Sequence, residues 1–388
     1  MFKSSKFIAL SLAVMMGITS FAGCQNQSGG STAGDPNVLK IGGIGPTTGG
    51  NAMYGQGVMN AAQLAVDEVN ANGGINGMKL EFRFEDDEHN PEKAVNAYNS
   101  LKDWGMQILM GTVTSTPCVA VKDKTYADNM FQLTPSGTSV DCVKYDNAFR
   151  VCFSDPNQGT ASAKYIGENN LAKKVAVIYD SSDVYSSGIY QNFAAEAKNQ
   201  NFEIVAAEAF TGDNKSDFSV HVQKAQSAGA DMIFLPIYYT EASLILTQAD
   251  KVGYDVNFFG CDGLDGLVQV KNFDVSLAEG VMLLTPFAAD AKDEKTQNFV
   301  SAYTKRFNEA PNQFAADAYD AIYTIVAAAE KSGIKGDMSV SDICDGLKGA
   351  MTQITLEGLT GTITWDAGGE PSKEPKAIKI VNGVYTAM

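Results

Sequence analysis

The sequence predicts an α/β protein of two Rossmann-like lobes, each with a parallel-sheet core. Three observations predict it. Short apolar runs of strand length alternate with longer segments whose apolar residues recur at helical spacing. The alternation begins afresh after Asp155. And 388 residues are too many for one ordinary core. Strands separated by helices form parallel sheets covered on both faces, so two runs of that pattern mean two lobes.

The elements follow in chain order. "VLKIGGIGP" (38–46) is a strand running into a glycine turn. In the next segment Val58, Ala62, Ala65, Val66 and Val69 share one helical face, and Gly73-Gly74 stops the helix. "KLEFRFEDDE" alternates apolar Leu80, Phe82 and Phe84 with charged residues, the mark of a strand with one wet face. Asn90 and Pro91 open a helix as N-cap and first position. "MQILMGTV", "MFQLTPSGT" and "FRVCFSD" are further strands of the first run. The second run has strands at 174–180, 202–210, 230–238 and 256–262, then "GVMLLTPF" (280–287). Helices are predicted at 296–308, 314–331 and 339–348, and "GTITWD" and "AIKIVNG" close the chain as strands.

The N-terminus has a different logic. Lys3 and Lys6 precede the apolar run Phe7–Ile18, which is too short to span a bilayer comfortably and has the length of a signal peptide. Ala22 and Gly23 then precede Cys24, as in a bacterial lipobox, although Phe21 stands where Leu is more usual. The expectation is a signal peptide at 1–23, a lipidated Cys24, and a polar tether at 24–36. The protein would then be exported and lipid-anchored at the outer face of the cell membrane, or periplasmic in a Gram-negative envelope. Cys118, Cys142, Cys152, Cys261 and Cys344 remain. Their number is odd, so at least one is free or pairs outside the chain, and none has the spacing of a zinc site.

Composition excludes whole classes of partner. The net charge of −16 argues against nucleic acid, which rewards clustered Lys and Arg. With only His89 and His221, a His-rich metal site is impossible. Both read as solvated or surface-packed. There is no G-x-S-x-G, Ser115 has no neighbouring base in sequence, and "GIGPTT" (43–48) lacks the last glycine of a dinucleotide loop. Neither catalysis nor a cofactor is expected.

What remains is binding, at the carboxyl ends of the strands. Two strand ends carry hydroxyl-rich turns, "GTVTSTP" (111–117) and "TPSGT" (134–138). Hydroxyls and free N–H groups at a helix N-terminus make an anion site, and their number suits a carboxylate. Helix capping would account for either turn alone. Past the strand ends of the second run stand Tyr185, Tyr238 and Tyr239, and Asp262 ends "FFGCD" with no basic residue nearby in sequence. In the first run Tyr54 opens a helix.

With these landmarks the chain resembles the branched-chain (Leu/Ile/Val-type) amino-acid ABC transporter substrate-binding lipoproteins of the periplasmic binding protein type I family. The likeness runs from about Val38 to Val384. It rests on the ordered set "KIGGIGPTTGGNAMYGQGVMNAAQLAVDEVNANGGINGMKLEF", "DDEHNPEKAVNA", "LTPSGT", "SDPNQGTASAKYI" and "QFAADAYDAIYTI". The resemblance implies that Ser115 and Thr138 bind a ligand carboxylate and that Ser136 turns a carbonyl to the ammonium. Asp262 would pair with the ammonium, Tyr185 and Tyr238 close over the ligand, and Tyr54 and Phe314 line its side-chain end. It implies a three-segment hinge, with lobe 1 at 37–152 plus 286–358 and lobe 2 at 153–285 plus 359–388. It implies, too, a monomer that delivers an amino acid to an ABC permease in the membrane.

The sequence departs from the family in three places. Asp262 is one methylene shorter than the more usual Glu. Tyr54 adds a hydroxyl where an apolar ring would suit an aliphatic side chain. Thr114 and Cys118 give their turn no cysteine partner of the kind some relatives have near their ligand. An apolar or branched-chain L-amino acid is the expected ligand, with a short amide, urea or aromatic acid as the alternative.

Overall fold

The structure is a computed structural model and describes residues 35–388. The expected signal peptide, Cys24 and all but the end of the tether lie outside the described residues.

The first lobe is built by β1 (Val38–Gly45), α1 (Ala52–Ala71), β2 (Lys79–Asp86), α2 (Pro91–Trp104), β3 (Ile108–Gly111), α3 (Ser115–Ala127), β4 (Phe131–Thr134) and β5 (Ala148–Arg150). Its five strands are all parallel, in the order β2-β1-β3-β4-β5. Every residue of β3 and β4 is buried, so these strands lack the alternation of a half-wet sheet. As expected, Asn90 caps α2, accepting from the N–H of Glu92 and Lys93, with Pro91 in the first position.

The chain then leaves for the second lobe: α4 (Asp155–Glu168), β6 (Lys174–Asp180), α5 (Val184–Ala197), β7 (Glu203–Phe210), α6 (Ser219–Ser227), β8 (Met232–Leu235), α7 (Tyr239–Lys251), β9 (Asn257–Gly260) and β10 (Met282–Thr285). Here the parallel order is β7-β6-β8-β9-β10, the same winding as the first sheet. Each sheet therefore reverses its strand order beside its first strand, between β1 and β3 and between β6 and β8. A crevice opens at the carboxyl ends of strands at such a reversal. The helix starts bearing Tyr54, Ser115, Tyr185 and Tyr238 follow these four strands.

After β10 come α8 (Glu294–Phe307), α9 (Gln313–Ser332), α10 (Val340–Met351) and the small hairpin of β11 (Leu356–Glu357) and β12 (Thr362–Ile363). Helix α9 lies along α1, and most of it is buried. Gly358 stands in the hairpin turn against the Asp320 carboxylate, which accepts the N–H groups of Leu359 and Thr360. The chain rejoins the second sheet at β13 (Lys376–Val381), followed by β14 (Val384–Ala387).

Three expectations are corrected. The second sheet is not wholly parallel, because β13 pairs antiparallel with β10 and β14 with β13. Strand β14 was not anticipated, although Asn382-Gly383, both at positive φ, is the tight turn that joins a hairpin. In "GTITWD" only Thr362–Ile363 forms a strand, with Trp365 making an isolated bridge to Pro371, and in "FRVCFSD" β5 stops at Arg150. Val151 still donates its N–H to Thr134 O of β4, and beyond it the chain leaves the first sheet for the second, with Cys152 and Phe153 buried.

Candidate functional site in the cleft between the lobes

The two turns that drew attention in the sequence lie side by side. Ser115 is the first residue of α3. Its Oγ accepts the N–H groups of Thr138 at 3.1 Å and Ser139 at 3.2 Å, and lies 3.2 Å from Thr138 Oγ1. A hydroxyl oxygen that accepts two N–H groups still has its own proton to give. Thr114, the N-cap, makes no side-chain cap; its Oγ1 lies 2.9 Å from His89 Nδ1. Thr112 Oγ1 donates to Thr114 O, Thr134 Oγ1 to Thr112 O and Ser136 Oγ to Val113 O. These hydroxyls brace one turn against the other rather than cap helices. The helix that follows the second turn is a short 3₁₀ helix of four residues, Val140–Val143.

Beneath the turns lies Arg150, a fully buried side chain that the sequence reading missed. Its guanidinium donates to Gly137 O and Ser139 O at 3.0 Å each and pairs with Glu370. It thus holds the carbonyls of the residues that flank Thr138 and sets a positive charge behind them. Together with the N-terminus of α3, this favours an anion. Cys118 is also less isolated than expected, for Cys142 packs against it.

Across the cleft, Asp262 follows β9 and is buried. Its Oδ1 accepts the Tyr185 hydroxyl at 2.7 Å, its N–H donates to Gln158 Oε1, and its carbonyl accepts Gln313 Nε2. Burial pushes its carboxyl up to about 6, and the bond from Tyr185 limits the rise. Tyr185 and Tyr238 stack with centroids 4.9 Å apart and planes 9° from parallel. Tyr54, fully buried, packs on Phe314 at 4.2 Å, and its hydroxyl donates to Gly263 O at 2.5 Å, across the cleft.

Seven of the eight sequence-predicted residues, namely Tyr54, Ser115, Ser136, Tyr185, Tyr238, Asp262 and Phe314, line one cavity of about 10 Å³. That is room for about one water molecule. Thr138 lies behind its wall, against Ser115. Val113, Thr114 and Gly263 complete the lining; Thr114 and Gly263 adjoin Ser115 and Asp262 in the chain, and Val113 lies two residues before Ser115. The lobes are drawn together over this cavity. Besides Tyr54 and Gly263, Thr240 Oγ1 donates to Gly50 O, Gln313 N–H to Asp265 and Thr116 Oγ1 to Asp183. His89, read as solvated or surface-packed, instead faces the cleft, with Nε2 3.4 Å from Asp183 Oδ2. Its place depends on a positive-φ loop that sequence patterning does not reveal. A larger cavity, about 420 Å³, lies at the amino ends of β9 and β10, lined by Asp250, Tyr254 and Glu279 among others. It shares no residue with the two turns or with Asp262.

Among the described residues all five cysteines are free and buried, no group of three or more side chains is placed to hold a metal ion, and no helix is long and apolar enough to cross a membrane.

Comparison with known proteins agrees with this architecture. The Leucine-, isoleucine-, valine-, threonine-, and alanine-binding protein of Pseudomonas aeruginosa is 27% identical over 86% of this chain and 87% of its own length. The Leu/Ile/Val-binding protein homolog 3 of Brucella melitensis is 30% identical over 86% of this chain and 89% of its own. Among solved structures, the branched-chain amino acid transporter substrate binding protein LivJ of Streptococcus pneumoniae, in complex with isoleucine, superimposes with a TM-score of 0.81 at 30% identity. That match covers 90% of this chain and 98% of LivJ. A benzoate-bound solute binding protein of R. palustris, at 19% identity and a TM-score of 0.80, shares the fold, over 90% of this chain and 95% of its own. The family model described as periplasmic binding protein matches residues 38–375, and the chain belongs to that family.

Proposed function

We propose that the protein is the extracytoplasmic substrate-binding component of an ABC importer. It captures an L-amino acid, branched-chain or otherwise apolar, between its lobes and hands it to a membrane permease. One observation carries this reading. A single cavity joins a hydroxyl and N–H cluster on one lobe to a buried carboxylate on the other, the two complements of a zwitterion. The amino-acid complexes of similar proteins support it.

In this reading Ser115 and Thr138 donate to the ligand carboxylate, backed by Arg150. Asp262 accepts from the ammonium, helped by the Ser136 carbonyl. Tyr185 and Tyr238 cover the headgroup, while Tyr54 and Phe314 meet the side chain. The two half-sites sit on different lobes, so ligand binds the closed form better than the open one, and closure follows from that difference. The hinge would divide lobe 1 (37–152 plus 286–358) from lobe 2 (153–285 plus 359–388). We further propose that Cys24 is lipidated after removal of residues 1–23, and that the protein acts as a membrane-anchored monomer without catalysis.

A thermal-shift screen tests this on mature chain refolded to strip any ligand. The panel holds the twenty amino acids, their amides, urea and aromatic acids. Ligand raises Tm by an amount that grows with its concentration over Kd. Shifts with aliphatic L-amino acids are expected. Shifts only with amine-free compounds would transfer the site to the amide, urea or aromatic-acid alternative and remove the ammonium role of Asp262.

A further inference from the structure

Two thiols lie directly beneath the Ser115 and Thr138 turns, and ligand capture makes no use of them. Cys118 is in the first turn of α3, and Cys142 is in the 3₁₀ helix that follows Thr138. Both are fully buried. A Cβ placed on Gly137 would lie 3.2 Å from Cys142 Sγ and 3.3 Å from Cys118 Sγ, so both sulfurs border the space that this glycine leaves open. Gln132 Nε2 donates to Cys118 Sγ at 3.2 Å, and Cys142 Sγ reaches toward Ser115 O at 3.9 Å.

The two thiols are unequal. A hydrogen bond from Cys142 lowers the Cys118 thiol below its usual value, with help from the Thr112 N–H and Arg150. Burial and the neighbouring sulfur push Cys142 up. Burial likewise raises Cys152, Cys261 and Cys344, and the groups that shift them include no other cysteine.

We propose that Cys118 and Cys142 are a reactive dithiol that closes to a disulfide beneath the binding turns, cross-linking the start of α3 to the 3₁₀ helix and fixing Ser115 against Thr138. The oxidant is a small-molecule disulfide. The Cys118 thiolate attacks one of its sulfurs, breaks that S–S bond and releases a thiolate, leaving a mixed disulfide on Cys118. Cys142 gives its proton to the released thiolate and attacks Cys118 Sγ. The protein disulfide forms, the mixed disulfide breaks, and a second thiolate departs to take up the remaining proton. Two protein thiols are oxidised and one external disulfide is reduced to two thiols. Because both cysteines are buried, the exchange takes place while the chain folds or when this region opens.

The proposal does not depend on what the cleft binds. To test it, the full chain is refolded in a glutathione redox buffer, alkylated, digested and mapped by mass spectrometry. A peptide pair linking 118 to 142 is expected. So is a Tm gain of about 5 °C that reductant abolishes, from the constraint on the unfolded chain between the two positions. Cys142→Ser should lose both, and Cys142→Ala serves if serine is not tolerated in the buried site. Free thiols at 118 and 142 in the refolded protein, a linkage of either to another cysteine, or the same Tm gain in both variants would overturn the proposal.

Discussion

Replacing Asp262 by asparagine removes one negative charge and leaves nearly all the local bonding in place. The side chain is buried, and an amide oxygen can still accept the Tyr185 hydroxyl now 2.7 Å from Oδ1. What changes is the partner offered to an ammonium. Neutralising one side of a buried, hydrogen-bonded charge pair costs about 2–4 kcal/mol, about 30- to 1,000-fold in Kd. The ligand-free protein should not suffer. Folding raises the Asp262 carboxyl from its ordinary 3.8 to about 6, chiefly by burial. The folded state therefore holds this proton to higher pH than the unfolded state does. The cost of ionising it is absent below pH 4, grows between pH 4 and 6, and is fully present above. Asp262→Asn is thus expected to melt no lower than the parent at pH 7.5, with the difference in its favour widening as pH rises from 4 to 6. Titration calorimetry at pH 7.5 supplies the decisive comparison, leucine against 4-methylpentanoate, which lacks the amine. The variant should lose affinity for leucine and retain or gain it for the des-amino acid. An equal loss for both ligands, or unchanged leucine binding, would refute the ammonium role of Asp262.

Three further outcomes follow from the same geometry. Ser115→Ala removes the oxygen that accepts the N–H groups of Thr138 and Ser139 and should weaken amino-acid binding by about tenfold or more, with far-UV circular dichroism unchanged; wild-type affinity would remove Ser115 from the site. Wild-type affinity for leucine should fall about tenfold per pH unit below about 6, since the ligand must then displace a proton from Asp262; a flat profile between pH 4.5 and 6 would show that the carboxylate takes no part. Tyr54→Phe deletes the hydroxyl that reaches Gly263 O across the cleft. It should change the ranking among aliphatic amino acids more than the preference of each for acid over amide, as read by competition, and a uniform loss across ligands would place Tyr54 in closure alone.

Much of this was legible in the sequence because the signals are local. Asn90-Pro91 caps a helix by side-chain and backbone chemistry confined to a few residues, and the structure has the cap as read. The buried runs that became β3 and β4 declare themselves by continuous apolar character. The unanticipated β14 was also local in origin: Asn382-Gly383 was there to be read as a hairpin turn. The hydroxyl turns were visible too, but whether they capped helices or met each other was not. That depended on β3 and β4 lying side by side, which no spacing along the chain encodes.

By itself the sequence determined the α/β class, the two runs of strands and helices, and the polar character of the loops at their ends, because propensity and periodicity act within a few turns of chain. Only the tertiary structure decided what those loops do together. The common winding of the two sheets turns both strand-order reversals toward one cleft, so residues as distant in sequence as Tyr54 and Gly263 share a hydrogen bond. It also placed Arg150 under Thr138, His89 beside Asp183, and Cys118 against Cys142. Each of these depends on contacts between segments far apart in the chain. Such contacts form only when burial of the two cores fixes the segments in space, and local sequence carries no record of them.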